Sequence, residues 1–126
     1  MNILGVDYGE KRIGLAWMDT GLDVVLPFGI ILNESESDAL AKLTDLVKKE
    51  KIDEVVFGLP FNLDGTENGH TKQIRNFAEL FQNRTDVKID YVNEMFSSQQ
   101  ADQMGGGVSR DEKAAMVILE SYKNKK

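Results

Sequence analysis

Several residue types are absent or scarce in this sequence of 126 residues, and each absence excludes a class of protein. There is no cysteine, so the chain has no disulfide framework, no thiolate nucleophile and no zinc–thiolate site. No apolar run approaches the roughly 20 residues that span a bilayer, and the N-terminus lacks the pattern of a signal peptide. We therefore expect one domain, residues 1–126, located in the cytoplasm and without a membrane partner.

Basic residues are also in deficit. The chain carries 15 Lys and Arg against 21 Asp and Glu, which gives a formal net charge of −6. Because basic surface dominates affinity for nucleic acid, this balance disfavours broad electrostatic binding of DNA or RNA. It leaves room for a local basic patch, for which Arg12, Arg110 and Lys113 are the candidates.

Hydrophobic periodicity predicts five strands and four helices. The first three strands are Ile3–Tyr8, Arg12–Met18 and Val24–Leu32; a short turn joins the first two, and Pro27 marks the third as an edge or irregular strand. The following elements are a helix from Ser37 or a near neighbour to about Lys51, a strand ending at Gly58, an amphipathic helix around Ile74–Phe81, a strand at Val87–Val92, and helices at Ser97–Met104 and Ser109–Lys123. This order predicts an α/β fold: a mixed five-stranded sheet, with a three-strand antiparallel meander and two parallel strands, flanked by helices. Right-handed crossovers place the fourth and fifth strands beside the first.

One carboxylate stands in an apolar setting. Asp7 lies within "ILGVDYGEKRIGLAWMD", where neighbours such as Val6 and Ile13 predict that it is buried. A buried lone carboxylate is costly unless it is paired or binds a cation. Two explanations are open: Asp7 accepts hydrogen bonds from loop amides such as those of Gly9 and Glu10, or it ligates a metal ion.

A second carboxylate, Asp111, shares one helix face with apolar residues. Those that follow it at helical spacing are Ala114, Ala115, Ile118, Leu119 and Tyr122. We expect this face to pack on the sheet, with Asp111 pointing inward. The alternative is that Ser109 and Glu112 form a capping box, in which Asp111 is a first-turn acid favoured by the helix dipole.

A third carboxylate, Glu94, directly follows the fifth strand and, taken alone, is typical of an exposed loop. Asp7, Glu94 and Asp111 could nevertheless converge at one edge of the sheet, since ligands of such sheets favour the carboxyl ends of parallel strands. Three hard oxygen ligands suit Mg²⁺ or Mn²⁺, and two such ions are the usual apparatus for hydrolysing a phosphodiester bond. The three residues together therefore indicate a metal-dependent hydrolase.

Four segments run in order through nearly the whole chain: "GVDYGEKRIGLA", "GLPFNLDGTENG", "NEMFSSQQA" and "DEKAAMVILESY". They resemble the successive motifs of the YqgF/RuvX family, bacterial RNase H-like proteins described as Holliday junction resolvases and as pre-16S rRNA processing nucleases. The resemblance implies an RNase H-like fold and a structured nucleic acid as substrate. It also implies that Asp7, Glu94 and Asp111 are the catalytic residues and hold a divalent metal.

Basic residues flank two of these acids. Lys11 and Arg12 lie just past the first acid and Arg110 directly precedes the last, so we expect all three to contact substrate phosphates; for the first two, the alternative is an exposed hairpin turn. The family usually shows Asp-Glu-Arg where this chain has Asn93–Met95, which removes one phosphate-binding arginine. His70, the only histidine, is expected to be a surface residue; the alternative is a role in proton transfer.

The loop after the fourth strand is the other candidate for substrate contact. Asn62 and Thr66 could frame the substrate; the alternative is a tight turn that needs Gly65 for a positive φ. Many RNase H-like nucleases take a metal ligand from the fourth strand. This chain has none there, and Asp64 or Glu67 would be the nearest substitute.

Three functional hypotheses follow. The leading one is a metal-dependent nuclease acting on structured RNA, with 5′-end maturation of precursor 16S rRNA as its task. The second is resolution of Holliday junctions in branched DNA, which needs a dimer because two strands are cut symmetrically. The third is a non-catalytic nucleic-acid or transcription-associated binding module, motivated by the acidic charge and the altered Asn93–Met95 motif. The sequence leaves the oligomeric state open between monomer and homodimer.

Overall fold

The computed structural model describes residues 1–93 and 108–125 and shows a sheet with helices on both faces. The strands are β1 (Asn2–Asp7), β2 (Arg12–Asp19), β3 (Val24–Leu32), β4 (Glu54–Leu59) and β5 (Lys88–Asn93). The helices in these ranges are α1 (Glu36–Lys49), α2 (Gly69–Gln82) and α3 (Arg110–Lys125), and none of them has the length and apolar character needed to cross a bilayer. The predicted helix Ser97–Met104 lies outside the described residues.

The strand order in the sheet is β3-β2-β1-β4-β5. β1, β2 and β3 form an antiparallel meander, whereas β4 runs parallel to β1 and β5 runs parallel to β4. The predicted mixed sheet is confirmed, including the placement of β4 and β5 on the β1 side that right-handed crossovers require. The carboxyl ends of β1, β4 and β5 therefore lie at the same edge of the sheet.

The alternation of side chains along the strands supplies an apolar core on each face. On one face, β1, β2 and β4 pack against α1 and α2; members of this core include Leu4, Val6, Leu15, Leu43, Phe57, Phe77 and Phe81. Trp17 is partly buried and packs against the same core. The other face is covered by α3 through Ala115, Ile118, Leu119 and Tyr122. The predicted inward face of the last helix is thus confirmed.

The ends of α1 follow local signals. Ser35 is the N-cap, and its Oγ accepts a hydrogen bond from the Asp38 amide at 3.1 Å. It is the near neighbour of Ser37 that the sequence allowed. The helix ends at Lys49, short of the predicted Lys51, because Lys51 has a φ of 54° and cannot continue a right-handed helix.

The edge strand β3 is irregular, as Pro27 predicted. Its pairing with β2 shifts register between Leu15 and Ala16, which lie opposite Gly29 and Pro27. Gly29 has a φ of 108°, a conformation that side-chain-bearing residues rarely adopt. The apolar residues that β3 leaves exposed are Val24, Leu26, Ile30 and Leu32.

A buried polar contact fixes the C-terminal part of α3 to the sheet. The Tyr122 hydroxyl donates a hydrogen bond to Oε1 of Glu54, and each residue is only 1% exposed. Lys88 Nζ lies 3.9 Å from the same carboxylate oxygen. Burial, followed by the hydrogen bond to Glu54, raises the pKa of Tyr122 well above its ordinary value. The tyrosine therefore keeps its proton and its role as donor.

Candidate active site

Asp7 is the last residue of β1 and belongs to the face that α3 covers. Side chains alternate along the strand, so that Leu4 and Val6 enter the core beneath α1 and α2, whereas Ile3 and Gly5 face α3. Asp7 lies two and four residues after Gly5 and Ile3, so its side chain is on the same face of the strand as theirs. Asp7 is less buried than the sequence predicted: it is half-buried, because the strand ends here and the loop after it opens to solvent.

Gly14 brings Asp111 to the same place. It is the pairing partner of Asp7 on β2, and a Cβ built on it would fall onto the carbonyl oxygen of Asp111 and 3.0 Å from the Asp111 Cβ. The first turn of α3 therefore rests directly on the backbone beside Asp7. Gly5 permits a similarly close approach further along the helix, since a Cβ there would lie 2.6 Å from Cγ of Leu119. The structure thus brings together Asp7 and Asp111, which we call the acidic pair.

Ser109 and Glu112 contact each other in the first turn of α3, where the amide-to-hydroxyl bond of the predicted capping box is present. The Ser109 Oγ accepts a hydrogen bond from the Glu112 amide at 3.2 Å and donates one to Glu112 Oε1 at 2.9 Å. The other carboxylate oxygen of Glu112 accepts a hydrogen bond from the Gly29 amide at 2.7 Å. Both explanations of Asp111 therefore hold at once: it is a first-turn acid of a capped helix, and it lies on the sheet beside Asp7.

Asp111, one member of the acidic pair, forms an ion pair with Arg12. Arg12 Nε lies 3.0 Å from Asp111 Oδ2, with side-chain exposures of 58% and 29%. Lys11 is exposed in the loop before β2, and Arg110 is exposed as the first residue of α3. Lys11 and Arg12 therefore lie on the same surface as Glu10 and Asp111, so that charges of both signs are present there.

An open depression of about 500 Å³ lies at this surface, and it is lined by Gly9, Glu10, Lys11, Arg12, His70 and Asp111. His70 is half-buried in the first turn of α2. Its position beside Asp111 goes beyond the sequence-based expectation of an ordinary surface residue. A signal was available, because His70 follows the loop at the carboxyl end of β4, the edge at which ligands of such sheets bind.

The loop after β4 is closed by its own polar groups. The Asn62 side-chain amide donates to Oγ1 of Thr66 at 3.0 Å, and the Asn62 backbone amide donates to the Thr66 carbonyl at 2.9 Å. Gly65 has a φ of 86°, so the tight-turn explanation of this glycine is confirmed. Asn62 and Thr66 lie together, as a shared substrate site would require, and the hydrogen bonds between them stabilise the loop itself.

Asp64 and Glu67, the nearest substitutes for a metal ligand from the fourth strand, both form polar contacts in or beside this loop. Asp64 Oδ1 accepts hydrogen bonds from the hydroxyl of Thr66 at 2.6 Å and from its amide at 3.0 Å. These bonds lower the pKa of Asp64 below its ordinary value of 3.8. Glu67 Oε1 forms an ion pair with Arg75 Nε at 2.7 Å. Both acids thus serve the loop and its junction with α2.

The third predicted ligand, Glu94, lies outside the described residues. It follows Asn93, the last residue of β5, which pairs with Leu59 at the end of β4. Across residues 1–93 and 108–125, no group of three or more His, Cys, Asp or Glu residues could hold a metal ion. Of the three residues predicted as ligands, the described part of the chain contains Asp7 and Asp111, and their role as ligands stays a prediction.

The sheet order and the helices on its two faces define a protein of RNase H-like fold. Residues 1–125 match the family model "RuvX: Holliday junction resolvase", and the chain belongs to this family. A protein of Maridesulfovibrio salexigens named "Putative pre-16S rRNA nuclease" is 33% identical over 97% of each chain. One of the same name from Nitratidesulfovibrio vulgaris is 35% identical over 98% of this chain and 94% of its own.

Solved structures give the same fold. RuvC of Thermus thermophilus, determined in complex with a Holliday junction substrate, superposes with a TM-score of 0.69 at 11% sequence identity. The match covers 98% of this chain and 93% of that one. The resemblance to the YqgF/RuvX family and the RNase H-like fold that it implied are therefore confirmed.

Proposed function

We propose that the protein is a metal-dependent nuclease that hydrolyses phosphodiester bonds in structured RNA, with 5′-end maturation of precursor 16S rRNA as its task. The observation that carries the proposal is the close packing of Asp111 on Gly14, beside Asp7 and at the carboxyl end of β1. The choice of RNA rests on the names of the relatives. Such an enzyme would work in the cytoplasm, where ribosomal precursors are processed.

The donor set fits Mg²⁺ or Mn²⁺. Asp7 and Asp111 supply carboxylate oxygens, which are hard ligands, at a partly exposed edge that water can reach. Glu94 is the proposed third ligand, because the chain enters it from Asn93 at the same edge of the sheet. The chemistry that a bound dication supplies is activation of a water molecule and stabilisation of the leaving oxygen.

The chain's own basic residues would orient the substrate. The Arg12 guanidinium gives its Nε–H to Asp111, and a guanidinium has five N–H donors in one plane, which suits a phosphate group as a further partner. We assign Lys11 and Arg110, which are both exposed, to neighbouring phosphates. Asn62 and Thr66 would contact the substrate through the loop that they hold closed.

The test is cleavage of a 5′-labelled precursor RNA in the presence of Mg²⁺ or Mn²⁺. Asp7→Asn, which keeps the size of the side chain and removes its charge, should abolish cleavage and leave the circular dichroism spectrum and unfolding midpoint near those of the unchanged protein. Asp45→Asn, at an exposed position of α1, is the matched control and should cleave normally. If the unchanged protein cleaves neither precursor RNA nor branched DNA with either metal, the proposal is wrong.

A second candidate is resolution of Holliday junctions, which the description of the family and the RuvC-like fold favour. A resolvase cuts two strands symmetrically and needs a dimer. Cleavage of a four-way DNA junction, measured together with the mass in solution by light scattering, separates the two activities. A monomer that cuts precursor RNA and leaves the junction intact would exclude resolution.

The third candidate, a binding module without catalysis, is separated by metal titration. Resonances of Asp7 and Asp111 should shift together in NMR spectra when Mg²⁺ is added, and Mn²⁺ should broaden both. A protein that binds nucleic acid while these resonances stay unchanged would be such a module.

A further inference from the structure

The carboxylate of Glu112 connects two parts of the chain that are far apart in sequence. Its Oε2 accepts a hydrogen bond from the Gly29 amide at 2.7 Å, across 83 residues. Its Oε1 accepts one from the Ser109 hydroxyl at 2.9 Å, and the Glu112 amide returns one to the same hydroxyl at 3.2 Å. One half-buried side chain thus ties the irregular segment of β3 to the N-terminus of α3.

These contacts exceed what a helix cap requires. A capping box satisfies amides of the helix's own first turn, whereas one carboxylate oxygen of Glu112 accepts a hydrogen bond from an amide of the sheet. That amide belongs to Gly29, whose φ of 108° is part of the register shift in β3. Hydrogen bonds from an N–H to an ionised carboxylate are stronger than those between neutral groups. The irregular segment of β3 therefore supplies the Gly29 amide as a donor, and α3 binds to it through Glu112.

The residue before Glu112 is Asp111, one member of the acidic pair. Gly14 sets how closely this turn approaches the sheet, and the Glu112–Gly29 hydrogen bond ties the same turn to β3. We infer that Glu112 is a positioning residue for the proposed hydrolysis: its carboxylate fixes the first turn of α3, so that Asp111 is held beside Asp7. The inference rests on the proposed function, since it assigns a role to the geometry of that site.

The experiment compares Glu112→Ala and Glu112→Gln with Ser35→Ala. The alanine variant loses both carboxylate contacts, whereas the glutamine side chain keeps an oxygen that can accept from the Gly29 amide. Ser35→Ala is the matched control, because it removes an N-cap contact of the same kind from α1, on the other face of the sheet. All three are measured at a temperature at which each variant is fully folded.

Two readouts are taken without nucleic acid. The first is the dissociation constant for Mn²⁺, from the electron paramagnetic resonance signal of the free ion. Loss of a group that orients a metal ligand weakens binding about tenfold or more, so Glu112→Ala should raise the constant by about that factor, with Glu112→Gln close to the unchanged protein. The second is the NMR resonance of the Arg12 Nε–H in metal-free protein, which reports the contact with Asp111. It should move in Glu112→Ala and stay in place in Ser35→Ala.

The two readouts separate the inference from the function on which it rests. Should Glu112→Ala match Ser35→Ala in both measurements, Glu112 is only a helix cap and the inference is overturned. Should the unchanged protein bind no Mn²⁺, the proposed function fails, and the Arg12 resonance still decides whether Glu112 positions Asp111.

Discussion

Substitution of Gly14 by alanine tests the arrangement of the acidic pair most directly. Real Cβ atoms essentially never approach other heavy atoms within 3.0 Å, and a Cβ on Gly14 would fall well inside that limit from the Asp111 carbonyl oxygen. The obstructing atoms are backbone, so no side-chain rotation can relieve the clash. The first turn of α3 must move away from the sheet by about 1 Å, and a displacement of that size at a catalytic group can cost roughly 100-fold in rate.

The same displacement has a cost in stability. Overpacking of a well-packed contact usually costs about 1–3 kcal/mol, which for a chain of this size corresponds to a fall in melting temperature of roughly 5–10 °C. Thermal unfolding and Mn²⁺-dependent cleavage measured on the same samples check both numbers.

Gly21→Ala is the matched control, because a Cβ there would lie 3.4 Å from Asp19 Oδ1 at ordinary contact distance. A Gly14→Ala protein that keeps the melting temperature and cleavage rate of the unchanged protein would refute the packing of Asp111 on β2.

Two further substitutions address the polar contacts at either end of α3. Tyr122→Phe leaves the buried Glu54 carboxylate without its hydroxyl donor and should lower the free energy of unfolding by about 1–3 kcal/mol. Because the pKa of Tyr122 is raised in the folded protein, the stability that this hydroxyl contributes is complete below pH 10 and is lost as pH rises further. Above pH 10, the denaturant midpoint of Tyr122→Phe should therefore fall less steeply with pH than that of the unchanged protein. Equal slopes in the two proteins would contradict this. Arg12→Ala breaks a largely exposed ion pair and should change stability by less than about 1 kcal/mol. It should also lower the salt dependence of RNA binding by about one phosphate contact, and an unchanged salt slope would remove Arg12 from the phosphate site.

The sheet and the faces of its helices followed from the sequence, because each depends on short-range periodicity. The inward face of α3 repeats at helical spacing, and the order of β-α-β elements leaves few ways to place β4 and β5. That Asp7 and Asp111 lie near each other was predictable for a similar reason. One acid ends a central strand and the other opens a helix whose apolar face packs on that strand.

The remaining features depend on contacts between distant segments. The hydrogen bond from Gly29 to Glu112 needs a register shift in β3, and sequence periodicity does not say where a strand will slip. The half-burial of Asp7 depends on where the strand ends relative to solvent. The only sequence signal for His70 is its place after the loop at the carboxyl end of β4, and its position beside Asp111 also requires the N-terminus of α2 and the loop after β1 to meet on one surface.

The irregularity of β3 also limits how far this edge strand could pair with an extended chain of another molecule. The outermost strand of a sheet offers unpaired amides and carbonyls to any extended chain, and here it carries four solvent-facing aliphatic side chains. A neighbouring molecule that began to pair along it would meet Pro27, which has no amide hydrogen, and then the kink at Gly29. The ladder would break after a few residues, so the irregular segment that donates the Gly29 hydrogen bond to α3 also denies fibril-like growth a continuous template.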